Sequence, residues 1–374
     1  MKPISLAFVD EIIEVACTIQ QIAAPTFYED RRAKFVSEKW QTTGLKDVSI
    51  DETGNVWGCL SGQSKNAIVV AAHLDTVHPD QNLPPLEKKP GRISGPGIGD
   101  NALGVASLFA LVGLYQQGKL KLKGDLWLVG TVGEEGLGNL KGMQAVVEHF
   151  SNPPLAYIIV EGIGLGKLFT RALGVVRYRI SIQTPGGHSW ANYGIPSANL
   201  ELADLINSLA KIPMPQKPRT TLNVGVMQGG SSINTISCKA WLDLDLRSED
   251  PFTLAKLAER VNGLVRGQNH PDVTTSIEKI GQRPAGELPA NHSLIRIAQS
   301  CLRELRIPPV LEIASTDANI PLNRGLPAIG IGITTGGNVH TYAEYFDIEP
   351  VHLGLQQLQS LVERIWDEND NDLD

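Results

Sequence analysis

Two histidines and a group of carboxylates stand where short apolar runs stop. The run 68–72 ends in His73-Leu74-Asp75, the run 126–132 in Gly133-Glu134-Glu135, and the run 158–160 in Glu161. The run 328–333 leads through a glycine-rich loop to His340, and Gly95-Pro-Gly-Ile-Gly-Asp100 sets an acid just before a helical pattern. Singly, each has an ordinary explanation: a structural histidine, a solvated Glu pair, an N-capping Asp. Together they call for a cation, because gathering so many carboxylates is costly unless their charge is offset. Mixed imidazole and carboxylate donors suit Zn²⁺, with Mn²⁺ or Co²⁺ as replacements. The donor count (His73, Asp100, Glu135, Glu161 and His340, with Glu134 spare) suits two ions sharing a carboxylate better than one.

The elements that must position these groups follow from periodicity. Apolar spacing predicts helices over 3–21, 28–43 and 101–117, and β-type runs at 48–50, 56–60, 67–72, 126–132 and 156–160. The runs 67–72 and 156–160 are almost continuously apolar, as in strands covered on both faces. This alternation predicts an α/β fold, a three-layer catalytic domain with a mostly parallel sheet. Such sheets place ligands beyond the carboxyl ends of their strands, where the candidate donors fall. From about residue 175 the texture changes. A half-exposed strand at 175–183 is followed by a helix (196–210), strands (221–227 and 235–246), a helix (251–266) and a strand (273–280), a β-α-β-β-α-β, ferredoxin-like order. After Pro284 the α/β texture returns, with a helix over 291–305, strands at 310–313 and 328–333, a closing helix over 351–366 and an acidic tail expected to fray. The predicted division is a discontinuous catalytic domain, 1–173 and 285–374, interrupted by an inserted α+β domain, 174–284.

Composition narrows the function classes. A chain of 374 residues, 42% hydrophobic and 20% charged, is an ordinary globular sequence; at roughly 150 residues per domain it holds about two domains. With 33 basic and 40 acidic residues, a net charge of -7, it is a poor partner for nucleic acid. The apolar runs 67–72 and 108–114 fall short of the ~20 residues that span a bilayer, so no membrane association is expected. Asp10, Glu11 and Glu14 interrupt any secretory pattern at the start. Cys17, Cys59, Cys238 and Cys301 have no CxxC spacing and read as thiols of a reducing compartment, so a cytoplasmic location is expected.

The segments His73-Leu-Asp75, Gly99-Asp100-Asn101, Gly133-Glu134-Glu135, Gly186-Gly-His188 and Gly337-Asn-Val-His340 resemble, in order and over essentially the whole chain, the dinuclear zinc metallopeptidase and deacylase family of peptidase T, glutamate carboxypeptidase, acetylornithine deacetylase and succinyl-diaminopimelate desuccinylase. The resemblance implies that His73 and Glu161 serve one ion, Glu135 and His340 the other, and that Asp100 bridges them. It makes Asp75 the carboxylate that orients His73, and Glu134 the general base acting on a bridging water. It makes His188 a donor to the developing oxyanion, supplied from a partner's inserted domain, which serves as lid and dimerisation domain, and hence implies a homodimer. Asn234 and Arg247 resemble substrate-contacting residues of that domain. His78 reads as structural.

The implied activity is hydrolysis of an amide bond in a small peptide or an N-acyl amino acid, by an exopeptidase or by a deacylase like acetylornithine deacetylase. The stretch Leu311-Glu-Ile-Ala-Ser-Thr-Asp317 lacks the arginine with which the glutamate-carboxypeptidase branch holds a substrate carboxylate. The Gly336–His340 loop is closer to that of peptidase T and favours a peptide. Three other readings are weaker. Gly97-Ile-Gly-Asp-Asn-Ala102 matches G-x-G-x-x-A, but it follows no buried strand and carries an Asp that would repel a pyrophosphate. A scaffold with dead metal sites would not need every donor type retained. A serine hydrolase would need a G-x-S-x-G elbow, which is absent from the sequence.

Overall fold

A computed structural model describes residues 4–371. It divides into two compact units, Met1–Ala172 with Gly286–Asp374, and Leu173–Ala285.

The larger unit is built on a nine-stranded sheet. Its centre is four parallel strands in the order Gly124–Thr131, Ser64–His73, Ala156–Ile163, Ala328–Thr334, so their carboxyl ends lie along one edge. Antiparallel neighbours flank the centre: Val56–Leu60 and then Lys46–Ile50 on one side, and Lys167–Ala172 on the other. Lys167–Ala172 pairs in turn with Val310–Ala314 and with Gly286–Glu287, and Ala172 and Gly286 are direct ladder partners. All seven positions of Ala328–Thr334 are buried, which requires cover on both faces of the sheet. Helices Leu6–Gln20, Gly104–Gln116, Ser293–Glu304 and Val351–Asn371 provide much of that cover, around a core that includes Ile68, Val70, Leu108, Leu111, Ile158 and Ile331. The expected α/β class with a mostly parallel central sheet is what is found.

The smaller unit is a four-stranded antiparallel sheet in the order Thr220–Gly229, Lys239–Ser248, Gly174–Gln183, Thr274–Arg283. Alternating burial along Lys239–Ser248 follows from the two-residue period of a strand with one covered face. Helices Ala198–Ala210 and Pro251–Gly267 pack on that face over Ile180, Ile182, Leu205, Leu242 and Val261. Asp250 caps the second helix, accepting the Thr253 N–H at 2.7 Å with Pro251 in the first turn. The β-α-β-β-α-β order is thus realised with ferredoxin-like strand adjacency.

Several local expectations are corrected. The strand at 156–160 continues through Glu161 to Ile163, because Asn101 and the neighbouring strand satisfy its extra backbone groups. The helix expected from residue 101 starts at Gly104; Ile98–Leu103 is a wide turn with non-helical backbone at Asp100 and Asn101. A small sheet of Glu87–Lys89, Arg92–Ser94, Tyr345–Asp347 and Gly336–Gly337 has strands too short to show a period. The last helix runs to Asn371 where fraying was expected from residue 367; the rest of that tail, and the Pro3 start expected for the first helix, lie outside the described residues. Residues Ile98–Gln116 together are long and apolar enough to cross a membrane, although no single apolar run suggests it; most of that stretch is buried inside the protein.

Candidate metal centre

The parallel strands bring their ends to one edge about 4.8 Å apart, the spacing of hydrogen-bonded neighbours. His73 is the last residue of Ser64–His73, and Glu161 lies near the end of Ala156–Ile163. Glu134 and Glu135 follow Gly124–Thr131 through Gly133, whose φ of 66° suits glycine and over which the Lys141 stem lies. Asp100 sits in the Ile98–Leu103 turn, and His340 in the loop between Gly336–Gly337 and Tyr345–Asp347.

Asp100 is the hub. Its Oδ1 is 3.0 Å from His73 Nε2, and its Oδ2 is 3.1 Å from His340 Nε2. His73 Nε2 also lies 3.7 Å from Glu161 Oε2, and His340 Nε2 lies 3.2 Å from Glu135 Oε1. Two donor groups result, His73-Asp100-Glu161 and Asp100-Glu135-His340, each with its donor atoms within 4.8 Å of one another. A third, His73-Glu134-Glu135, places Glu134 against the same centre.

The surroundings prepare the donors. His73 Nδ1 lies 3.0 Å from the carbonyl oxygen of Asp75; a proton there donates to that oxygen, so that Nε2 is the nitrogen turned to Asp100 and Glu161. The Asp75 carboxylate is farther from Nδ1, at 3.6 Å. Its oxygens accept the N–H groups of Glu134 (3.0 Å) and Glu135 (2.9 Å) and the Thr26 hydroxyl (2.9 Å). Asp75 therefore orients His73 chiefly through its main chain and fixes the Glu pair through its side chain.

The electrostatics fit a cation site. Burial raises the Glu161 carboxyl. Burial would also raise Asp100, but the two imidazoles outweigh it and hold Asp100 below the usual carboxylate range. Burial would lower His73, yet hydrogen bonds to Asp100, Asp75 and Glu161 lift it well above its ordinary value. Hydrogen bonds to Asp100 and Glu135 lift His340 to about 10. The protein alone thus balances its carboxylates by holding protons on two imidazoles, protons that divalent cations would displace. With five mixed nitrogen and oxygen donors in two groups sharing one carboxylate, the residues fit a pair of divalent ions.

The remaining candidates lie in the smaller unit. His188 is exposed, and its Nδ1 accepts the N–H groups of Trp190 (3.2 Å) and Ala191 (3.3 Å), so in the neutral ring the proton sits on Nε2 as an outward donor. The segments Gly187–His188 and Thr235–Ile236 pair as short strands, and the Ser189 N–H donates to the Asn234 carbonyl, so His188 and Asn234 are neighbours. Arg247 is not with them. It stands near the opposite end of Lys239–Ser248, with Nε 2.9 Å from Asp245 Oδ2 in a surface ion pair.

Reading the sequence missed three groups. Asn101 brackets Glu161, donating to the Val160 carbonyl (2.8 Å) and accepting the Gly162 N–H (2.9 Å). Buried Arg32 donates to the carbonyls of Ile22 and Leu74. Buried Glu344 sits under the loops of Asp100 and His340. The available signal was Asn101 beside Asp100, since a polar pair closing a glycine-rich turn invites the question of what its second member holds. His78, expected to be structural, is buried beside the Tyr342 ring.

Comparison with known proteins gives a consistent picture. The model of peptidase family M20/M25/M40 matches residues 69–364. A probable carboxypeptidase of Ajellomyces capsulatus is 30% identical over 216 residues, 51% of this chain and 47% of that protein, and the chain spans about half the length of the curated relatives it matches. A tripeptidase of Staphylococcus aureus superposes with a TM-score of 0.81 at 21% identity, over 96% of this chain and 98% of the other. A dinuclear metal-binding peptidase of the M20 family from Bacillus subtilis does so with a TM-score of 0.69 at 15% identity, over 97% and 99%.

Proposed function

Because this chain belongs to peptidase family M20/M25/M40, a family of hydrolases acting on peptide or amide bonds, we propose that it is an exopeptidase cleaving small peptides with two divalent ions, zinc first among them. The observation that carries the reading is Asp100, which turns one carboxylate oxygen to each of two histidines. His73, Asp100 and Glu161 would hold one ion, and Asp100, Glu135 and His340 the other.

When bound, such ions polarise a scissile carbonyl and acidify a water. The chain's own residues do the rest. Glu134 takes a proton from the attacking water and returns it to the leaving nitrogen. Asp75 and Thr26 keep the Glu134–Glu135 backbone in place for that transfer. The resemblance assigns the oxyanion to His188 of a partner's inserted unit, and the exposed Nε2–H of that residue is a donor of the required type.

A homodimer through the inserted unit is part of the proposal. Thr220–Gly229 is an edge strand with Val226 and Met227 exposed, and Trp190, Tyr193 and Ile233 project from nearby loops. A sheet edge and apolar side chains left to water are what association would cover.

The test is a panel of tripeptides, dipeptides and N-acetylated amino acids assayed with Zn²⁺, Mn²⁺ or Co²⁺. Peptide cleavage from one end is the expected result. Turnover confined to the N-acetylated compounds would replace the peptidase reading by the deacylase one.

A further inference from the structure

Glu344 is completely buried, and among the described residues no lysine or arginine pairs with it. Its carboxylate is met by backbone instead. Oε1 accepts the N–H groups of Gly99 and Asp100, both at 2.8 Å, and the His340 N–H points at Oε2 at 3.4 Å. The Glu344 carbonyl accepts the Gly95 N–H at 2.8 Å, closing the same two loops together from the main-chain side. One loop carries Asp100 and the other His340, and Glu344 itself belongs to none of the donor groups.

The His340 loop needs such an anchor. His340 and Asn338 are held at φ of 66° and 56°, in the left-handed region that residues with a Cβ disfavour. Within the loop, Thr341 and Asn338 close a local turn, but these bonds do not fix its distance from Asp100. Glu344 does. The His73-Asp100-Glu161 group has a separate support, the Asn101 amide on both sides of Glu161.

We propose that Glu344 is a positioning residue that sets the separation of Asp100 from His340 and so governs one of the two ion sites more than the other. This rests on the two-ion reading above. Ligand-orienting partners of this kind typically change metal affinity 10- to 100-fold when removed.

The test compares the full-length protein with Glu344→Ala and Glu344→Gln, measuring zinc per chain after dialysis and zinc affinity by competition with a chromophoric chelator. The wild type binds two ions. Glu344→Ala keeps one tightly and binds the second roughly 10- to 100-fold more weakly. Glu344→Gln, which preserves volume, falls between: its oxygen still accepts from Gly99 and Asp100, but its amide nitrogen cannot accept from His340. Asp347→Asn is the control for mere loosening of the same small sheet, since Asp347 binds Arg92 and Thr335 and no ion donor; it lowers the melting temperature and leaves both zinc affinities unchanged. Wild-type affinity for both ions in Glu344→Ala, equal weakening of the two, or a matching loss in Asp347→Asn overturns the proposal while the two-ion reading stands. A wild type that binds fewer than two ions overturns that reading and the proposal with it.

Discussion

Glu134 and Glu135 are adjacent, alike in chemistry and both buried, yet they face different tasks. Glu135 is 3.2 Å from His340, while Glu134 joins the centre in the group with His73. Glu134→Ala should therefore retain near-normal metal content while turnover falls about 10²- to 10⁴-fold, the usual worth of a general base; metal analysis beside steady-state kinetics checks both halves. The sequence marks these residues because an apolar run that stops at an acid or imidazole marks a strand end. It cannot show Glu344, and it only hints at Asn101 through its place beside Asp100, because the work of both is done on backbone groups of residues far away in the chain. Arg247 is the converse: a suggestive residue type whose nearest partner is Asp245, two positions back on the same strand face.

Asp317 offers a pH-dependent readout of burial near the centre. Desolvation lifts its carboxyl from 3.8 to about 7, although the Thr131 hydroxyl donates to it at 2.5 Å. The folded state thus keeps this proton over a range in which the unfolded chain has released it. Its unfavourable effect is absent below the unfolded value and grows as pH rises from about 4 to about 7. In the metal-free protein, Asp317→Asn should lose less stability than the wild type across that window. Denaturant melts at pH 4.5 and 7.5 measure it, and parallel loss in both proteins would refute the assignment.

At the scale of elements, the turn Ile98–Leu103 sets the precision of the centre. It bends the chain so that Asp100 points to the histidines and Asn101 points to the Glu161 strand. The turn closes against Gly104, where a Cβ would run into the Asn101 amide and the Val160 carbonyl. Gly104→Ala should therefore destabilise the fold by about 1–3 kcal/mol, the range for overpacking, and weaken zinc binding as well. Calorimetry with chelator competition reads both, and a stability loss with unchanged affinity would dissociate the turn from the site. Periodicity could not anticipate this element. It detects residues repeating at 3.6 or 2, and a single wide turn repeats nothing. The long strands and helices were legible for the opposite reason, and the short hairpin Glu87–Ser94 was not.

At the scale of the molecule, the composition change near residue 175 and the return after Pro284 fall close to where the two compact units divide. The inserted unit reads clearly because an antiparallel sheet with one covered face alternates along each strand, whereas the parallel centre of the larger unit does not. If its exposed edge is a dimer surface, sedimentation should show a dimer, and Met227→Asp, which places a charge on that edge, should shift it toward monomer. A wild type that stays monomeric at tens of micromolar (roughly the range of a weak association) would count against it.

The pairing of Ala172 with Gly286 carries one more consequence. In the larger unit the chain leaves and returns at two residues that face each other across an antiparallel ladder, the geometry that a tight hairpin normally closes. Ring closure over a long unstructured segment would be entropically unfavourable. The inserted unit removes most of that penalty, since Val175 and Arg283, each two residues in from its ends Leu173 and Ala285, are also ladder partners. If it folds first, it presents its host with two chain ends already side by side, so that the host can assemble as though the insertion were a short turn.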